Sequence, residues 1–226
     1  MNTRSALQES RSTADIVFDQ LFEEIVTLVL LPGTKISEAE IARRFGVSRQ
    51  PIRDAFRRLG NLDLLKIRPQ RATVVRRFSL EEIENTRFLR CAIDLEVIER
   101  ACARWDAQSA QALAENMAQQ QEALQASDTV RFHDLDYDFH KLICDKANLP
   151  MAFETIKACK RQVDRLCVLS LSHDETRATI LEDHFAIADA LERGDVAQAR
   201  ALLRQHLGRL DPVIAGIHET HSDYFQ

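Results

Sequence analysis

The sequence predicts a mainly α-helical protein with a winged helix-turn-helix at its N-terminus and an all-α helical bundle after it. Three observations predict this fold class. Two short amphipathic segments flank a tight turn within residues 37–58, two short β-prone runs follow, and residues 79–226 show no convincing strand pattern. With 226 residues, the chain is long enough for two domains that each bury a core.

The N-terminal helices are predicted from their start and stop signals. Apolar residues at helical spacing predict a helix over 13–31, which ends at a Pro-Gly pair. Ser37 and Glu40 form the S-x-x-E capping pattern of the next helix, and Gly46 can leave it with a positive φ. Ser48 is then expected to cap a second helix after a tight turn.

This second helix combines an apolar back with a basic front. Its apolar residues recur at i, i+3, i+4 and i+7, which requires a core on that side: Ile52, Ala55, Phe56 and Leu59. The front could be merely solvated, but residues 43–77 hold eleven Lys and Arg and only two acids. Such local charge favours a polyanionic partner. The residues predicted to bind DNA are Arg43, Ser48, Arg49, Gln50, Arg53, Arg57 and Arg71.

A small hairpin is predicted after the second helix. The β-prone runs 64–67 and 73–75 are separated by a basic turn, which is typical of the wing of a winged helix.

Charge divides the chain into two parts. Residues 1–78 carry a net charge of +5 and residues 79–226 a net charge of −10. We therefore place a domain boundary near residue 78, between a DNA-binding domain at 13–78 and a second domain at 79–226, and expect the polar residues 1–12 to be disordered. No apolar run is long enough to span a membrane and no signal peptide is visible, which predicts a cytoplasmic protein. The five cysteines form no C-x-x-C pair and are expected to be reduced.

Six helices are predicted in the second domain from helical periodicity and from Ser, Thr, Pro and Gly punctuation. They cover residues 80–104, 107–126, 129–147, 150–172, 175–193 and 195–215.

Four polar residues interrupt the apolar faces of these helices. Asp136 and His140 lie one turn apart on the third helix, while His184 and His206 fall on the apolar faces of the fifth and sixth. Each histidine alone is more often a hydrogen-bonded core residue. Together they could form a site of one carboxylate and three imidazoles for a divalent metal.

Arg90 is a further anomaly, because it shares a helical face with apolar residues. It could pair with Asp94 one turn later, or its guanidinium could bind the carboxylate of an effector in a bidentate fork.

The run LPGTKISEAEIARRFGVSRQPIRDAFRRL resembles the N-terminal domain of GntR-type bacterial transcription regulators. The likeness covers about residues 15–77, and its most specific part is VSRQPIRDA. It implies that Arg49 and Arg53 read bases in the major groove, as arginine does at guanine. Asp63 and Ala72 stand where that family usually has glycine.

The second part resembles the FCD domain of the FadR branch of that family, including its six-helix VanR-like subgroup. The matching segments are DYDFH at 136–140, EDHFAIADAL at 182–191 and RQHL at 204–207. The likeness implies that Asp136, His140, His184 and His206 hold a metal, with Zn, Ni or Mn the best candidates. The stretch RCAID resembles a segment whose arginine lines the effector pocket, which implies that role for Arg90.

These expectations combine into a homodimeric transcriptional repressor, without enzyme activity, that binds a pseudo-palindromic operator and a small organic acid. Two alternatives remain open: a purely structural metal, and a metalloenzyme fused to a DNA-binding domain. The second is disfavoured because no further inward carboxylate or histidine is placed to act as a general base.

Overall fold

The computed structural model describes residues 11–68, 71–171 and 174–226, and leaves several side chains between 161 and 174 undescribed. They form two compact units. One contains the chain up to Phe78 together with Asp223–Gln226, and the other contains Ser79–Ser222. The mainly α fold class, with a small sheet in the first unit, is confirmed.

The first unit packs three helices against a small sheet. Its elements are α1 (Thr13–Val26), β1 (Lys35–Ile36), α2 (Glu38–Phe45), α3 (Arg49–Asn61), β2 (Leu65–Lys66) and β3 (Thr73–Val75). The strands are antiparallel in the order β1-β3-β2, with Lys35 opposite Val74 and Leu65 opposite Val75. Leu21, Ile52 and other apolar side chains of all three helices and the strands form one core.

Two N-terminal expectations need correction. The first helix ends at Val26 and not near residue 31, since Leu28 adopts a φ of 61° that an α-helix cannot contain. Ser48 does occupy the N-cap of α3, but its side chain makes no capping hydrogen bond. Ser37, by contrast, accepts a bond from the Glu40 amide. Of the N-terminus expected to be disordered, only residues 11 and 12 are described, and Ser12 caps α1.

The wing has its predicted strands β2 and β3, and Pro69 and Gln70 at its tip lie outside the described residues. Asp63 replaces the usual glycine in a left-handed conformation with a φ of 58°, and its carboxylate accepts a hydrogen bond of 2.5 Å from Arg76. Ala72 is not among the described residues with positive φ. Alanine at 72 therefore costs this hairpin no left-handed strain.

The second unit is a helical bundle. Its helices are α4 (Leu80–Cys102), α5 (Ala107–Gln125), α6 (Thr129–Lys146), α7 (Pro150–Leu171), α8 (Asp174–Glu192), α9 (Val196–Gly208) and α10 (Leu210–Thr220). A continuous apolar core runs through the bundle and includes the fully buried Ile98, Phe132 and Phe139. None of the described helices is both long and apolar enough to cross a membrane.

The sixth predicted helix is in fact two helices, α9 and α10. Proline has no amide hydrogen, and its ring clashes with the carbonyl four residues earlier in a continuous helix. Pro212 would direct that clash at Gly208, where α9 ends. The chain restarts at Leu210, which places Pro212 in the first turn of α10, where proline is tolerated.

Candidate functional site

The first unit exposes the predicted DNA-binding face. Gly46, with a φ of 66°, ends α2 and turns the chain into α3. The apolar back of α3 is buried, with Ile52 and Leu59 0% exposed. All seven residues predicted to bind DNA are exposed, six of them on α2, α3 or the turn between them, and Arg71 in the hairpin. This arrangement can present a basic helix face and a basic hairpin to one polyanion.

One of these arginines is already held by a neighbour. The Arg53 guanidinium donates to the Glu38 carboxylate, with its Nη2 3.1 Å from the acceptor oxygen. This links α3 to the start of α2. An exposed pair of this kind contributes little stability, so Arg53 can exchange Glu38 for another acceptor at small cost.

In the second unit, the four predicted metal ligands come together. Asp136 and His140 project from adjacent turns of α6, His184 from α8 and His206 from α9. One ligand atom from each lies within 4.8 Å of the other three. The three histidines are buried and Asp136 is half-buried. Four residues that are distant in sequence thus form one polar cluster inside an apolar bundle.

His184 has an unsatisfied nitrogen in this cluster. Its Nδ1 is 2.8 Å from the side-chain oxygen of Gln120, so Nδ1 carries the proton and Nε2 keeps its lone pair. Nε2 is buried, makes no hydrogen bond and lies 3.4 Å from a carboxylate oxygen of Asp136. Burial lowers the pKa of His184 to about 4, so the ring is neutral at pH 7. Two electron-pair donors therefore face each other with no proton between them.

A cation compensates Asp136 from the opposite side. The ammonium of Lys160 donates a hydrogen bond to Asp136 and also lies 3.8 Å from the centre of the Tyr137 ring. Burial by itself raises the pKa of the Asp136 carboxyl, but the charge of Lys160 brings it well below its ordinary range. Asp136 is consequently ionised at neutral pH and available as a ligand.

Arg90 pairs with Asp94, which was one of its two predicted alternatives, and also contacts a histidine of the cluster. Its Nε donates to Asp94 at 3.2 Å, and its Nη2 lies 3.1 Å from Nε2 of His140. Burial raises the pKa of Asp94 despite this contact, and burial followed by the charge of Arg90 lowers that of His140. Arg90 also lines the adjoining cavity. It is therefore both a partner of Asp94 and a cation at the cluster.

The cavity beside the cluster has a volume of about 480 Å³. Asp136 and His206 form part of its wall, next to apolar side chains that include Phe132 and Ile180. Its lining also contains five basic residues: Arg87, Arg90, Lys160, Arg204 and Arg209. A largely apolar pocket with convergent cations suits a small anionic molecule.

Sequence reasoning missed the residues behind the imidazoles. Gln120 contacts His184, and Asp183 lies 3.5 Å from Nδ1 of His206 while accepting two bonds from Arg209 at 2.6 and 2.8 Å. Gln120 and Asn116 lie on the apolar stripe of α5, with Leu113 and Met117. Two amides on a buried stripe are the signal that could have identified this second layer.

The cluster fits a divalent metal. The donors are three imidazoles and one carboxylate, a set that Zn, Ni and Mn accept. The unsatisfied Nε2 of His184 opposite Asp136 is the observation that supports this fit, since a cation between them would satisfy both. Opposite ligands of an ion with bonds of about 2.1 Å lie roughly 4.2 Å apart. The observed limit of 4.8 Å is wider than this, so the side chains would need to move closer together to hold one ion.

Comparison with known proteins gives two family matches. Residues 13–75 match the model described as bacterial regulatory proteins, gntR family, and residues 86–209 match the FCD domain. The chain is 32% identical over 225 residues to the HTH-type transcriptional repressor RspR of Escherichia coli, covering 100% of this chain and 99% of that protein. It is 26% identical over 215 residues to a probable D-xylose utilization operon transcriptional repressor of Paenarthrobacter nicotinovorans, with 95% and 94% covered.

Solved structures show the same fold. McbR/YncC of E. coli matches with a TM-score of 0.71 and 19% identity, covering 92% of this chain and 99% of that one. A putative GntR transcriptional regulator from Rhodococcus sp. RHA1 matches with a TM-score of 0.71 and 22% identity, covering 91% and 99%.

Proposed function

Because the chain belongs to the gntR family of bacterial regulatory proteins and carries an FCD domain, we propose that it is a cytoplasmic transcriptional repressor controlled by a metal-bound organic acid. Its family is one of transcriptional regulators and not of enzymes. We assign DNA binding to residues 13–78, and metal binding, effector binding and dimerisation to residues 79–226. The names of two relatives as repressors support the sign of regulation.

For DNA binding, a homodimer would place α3 of each protomer in the major groove of a pseudo-palindromic operator. The exposed Arg49 and Arg53 are the proposed base-reading residues, and Ser48, free of a capping bond, is available to a phosphate. Phe88 and Leu89 of α4 are 71% and 52% exposed, which supports a further apolar contact between protomers. Leu95 and Ile98, further along α4, are buried within the unit itself and leave Phe88 and Leu89 as the exposed apolar residues of this argument.

The observation that carries the effector proposal is the meeting of four predicted ligands at the wall of a cation-lined cavity. A bound metal would supply a Lewis-acidic position for a carboxylate oxygen. Arg90 and Lys160 would hold the rest of the anion by charge-assisted hydrogen bonds. An effector that prefers one arrangement of the dimer would change operator affinity by that difference in binding energy.

The first test is elemental analysis of the purified protein, with wild type beside His206→Ala. We expect about one divalent metal per chain in the wild type, as an Asp-His₃ set predicts, and its loss in the variant. No metal in the wild type, even after incubation with zinc, nickel and manganese, would refute the metal site and leave the DNA-binding assignment intact.

The second test is a thermal-shift screen of small carboxylic acids against the metal-loaded protein, followed by DNA binding. An acid that stabilises the wild type, loses its effect in Arg90→Met and releases DNA would support the proposal. If metal removal lowered stability while no acid ever raised it, the metal would be purely structural. Turnover of an acid by the loaded protein would instead favour the metalloenzyme.

A further inference from the structure

A chain of buried amides stands behind one of the proposed metal ligands. Asn116 and Gln120 are one turn apart on α5 and are 6% and 0% exposed. Asn116 Nδ2 lies 3.0 Å from the backbone oxygen of Leu135, Gln120 Nε2 lies 2.7 Å from Asn116 Oδ1, and Gln120 Oε1 lies 2.8 Å from Nδ1 of His184. Three consecutive hydrogen bonds thus connect the backbone of α6 to the imidazole on α8.

The donor and acceptor roles along these three hydrogen bonds are fixed by the first of them, at the backbone oxygen of Leu135. A backbone carbonyl can only accept, so the Asn116 group facing Leu135 must be its NH₂. The Asn116 oxygen then faces Gln120 and must receive a proton from the Gln120 NH₂ group. The Gln120 oxygen is left to face His184 and can only accept. Each step removes one alternative, and the proton of His184 must therefore lie on Nδ1.

At the other two imidazoles of the cluster, Nδ1 faces a carboxylate at a longer distance. Arg90 can only donate, so Nε2 of His140 accepts from it, and Nδ1 of that ring faces Asp94 at 3.8 Å. Nδ1 of His206 faces the carboxylate of Asp183 at 3.5 Å. These two distances exceed an ordinary hydrogen bond. Gln120 makes the closest of the three Nδ1 contacts, and it does so with a neutral amide.

We infer that Gln120 is a positioning residue that fixes the Nδ1–H tautomer of His184 and so presents Nε2 to the metal. This inference deepens the proposed function and rests on its metal site. Without Gln120, the ring could also adopt the tautomer with a proton on Nε2, which cannot ligate a metal through that nitrogen. Partners behind metal-bound histidines typically change metal affinity by about 10- to 100-fold when they are removed.

The experiment compares Gln120→Met with Gln120→Glu. Methionine fills similar space and is only a weak acceptor for the Nδ1–H group, whereas glutamate is a strong one. The neighbouring Gln119 and Gln121 on the same helix are exposed, so Gln119→Met and Gln121→Met are matched controls. Two quantities are measured: zinc affinity by competition with a chelator, and the protonated nitrogen of His184 by long-range ¹H–¹⁵N spectra of the metal-free protein. His184→Ala assigns the signal.

We expect the metal-free wild type to carry the His184 proton on Nδ1, and Gln120→Met to bind zinc about 10- to 100-fold more weakly. Gln120→Glu should retain Nδ1–H and near wild-type zinc affinity while losing thermal stability, because an ionised carboxylate cannot donate to Asn116. A purely structural Gln120 would instead make zinc affinity follow stability in both variants.

A proton on Nε2 of His184 in the metal-free wild type would overturn the inference, and so would a folded Gln120→Met with wild-type zinc affinity. If the wild type bound no zinc, the proposed metal site would fail, and the spectrum would still decide the tautomer. If Gln120→Met did not fold, the wild-type spectrum and Gln120→Glu would decide the question.

Discussion

Lys160 stabilises the ionised carboxylate of Asp136 when no metal is bound. Lys160 is 4% exposed and its ammonium lies against Asp136, so this half-buried carboxylate has a compensating charge without a metal. An arriving cation must overcome this ammonium by displacing it or by accepting its repulsion. In the metal-free protein, Lys160 therefore competes with the metal ion for the carboxylate of Asp136.

We accordingly predict that Lys160→Met binds zinc more tightly than the wild type. A hydrogen bond to a charged group contributes roughly 1.5–3 kcal/mol, which corresponds to an affinity gain on the order of tenfold or more. Zinc titration against a chelator measures the change. Lys157→Met, on the exposed side of the same helix, is the control and should leave the affinity unchanged. Weaker zinc binding in Lys160→Met would mean that Lys160 supports the ligand set with the metal present.

At Arg53, the structure adds a cost to the proposed base contact. Arg53 must leave Glu38 to reach a base, but Arg53 is exposed and Glu38 only half-buried, so the pair contributes little stability. We predict that Arg53→Ala weakens binding to a duplex selected by the wild type from a random pool by about 1–3 kcal/mol. Binding to unrelated DNA should change far less.

The matched control is Arg100→Ala, which removes an exposed arginine paired with a glutamate one turn earlier on α4. It should change neither specific nor unrelated binding. Equal losses of Arg53→Ala on both kinds of duplex would show that Arg53 contacts phosphate and reads no base.

At the scale of elements, backbone conformation predicts opposite changes in stability when each of two glycines is replaced by alanine. Gly46 ends α2 with a φ of 66°, while Gly216 lies inside α10, and a Cβ at either would meet no atom within 4 Å. Only backbone conformation distinguishes them. Gly46→Ala should destabilise the first unit by about 1–2 kcal/mol, and Gly216→Ala should stabilise the second by about 0.5–1 kcal/mol.

Peptide-resolved hydrogen exchange measures the first effect in α2 and α3. Fluorescence of Trp105, the single tryptophan of the sequence, follows denaturant unfolding of the second unit. The same sign of change in both variants would show that the backbone argument does not govern these two positions.

The elements also show how far sequence reasoning extends. The two helices around Gly46 follow from local caps and periodicity, and so do β2 and β3. Strand β1 was not predicted, because two residues carry no periodicity and their partner β3 lies about forty residues away in the chain. The break between α9 and α10 was missed although Pro212 signals it. Leu203, Leu207 and Leu210 keep the apolar helical pattern continuous across that break.

The residues of the candidate site likewise include some that the sequence could predict and others that it could not. The three histidines and Asp136 could be found because they violate an apolar pattern on their own helices. Gln120 could not be singled out in the same way, since it stands between two further glutamines and only its helical phase is different. Its role depends on Leu135 and His184, which other helices supply, and no local pattern encodes that meeting.

For the whole molecule, the separation of charge restricts where DNA can bind. The acidic second part, with a net charge of −10, repels a polyanion, while the basic first part attracts one. The proposed metal site and the adjoining cavity lie entirely within the second unit. Metal binding should therefore act directly on the stability of that unit and on the first unit only through a linked change.

We predict that zinc raises the unfolding temperature of the second unit selectively. A ligand at 100 times its dissociation constant adds about 2.7 kcal/mol to the folded state, which for a unit of this size corresponds to roughly 5–10 °C. Trp105 fluorescence during heating measures this shift, and a chelator should reverse it.

In His206→Ala the zinc shift should disappear, while hydrogen exchange in α2 and α3 should match that of the wild type, because the substitution lies outside the first unit. Zinc that stabilised His206→Ala as much as the wild type would place the metal elsewhere.

A carboxylic acid that added a further shift only after zinc would show that effector and metal share one site, since an independent acid site would stabilise the metal-free protein equally.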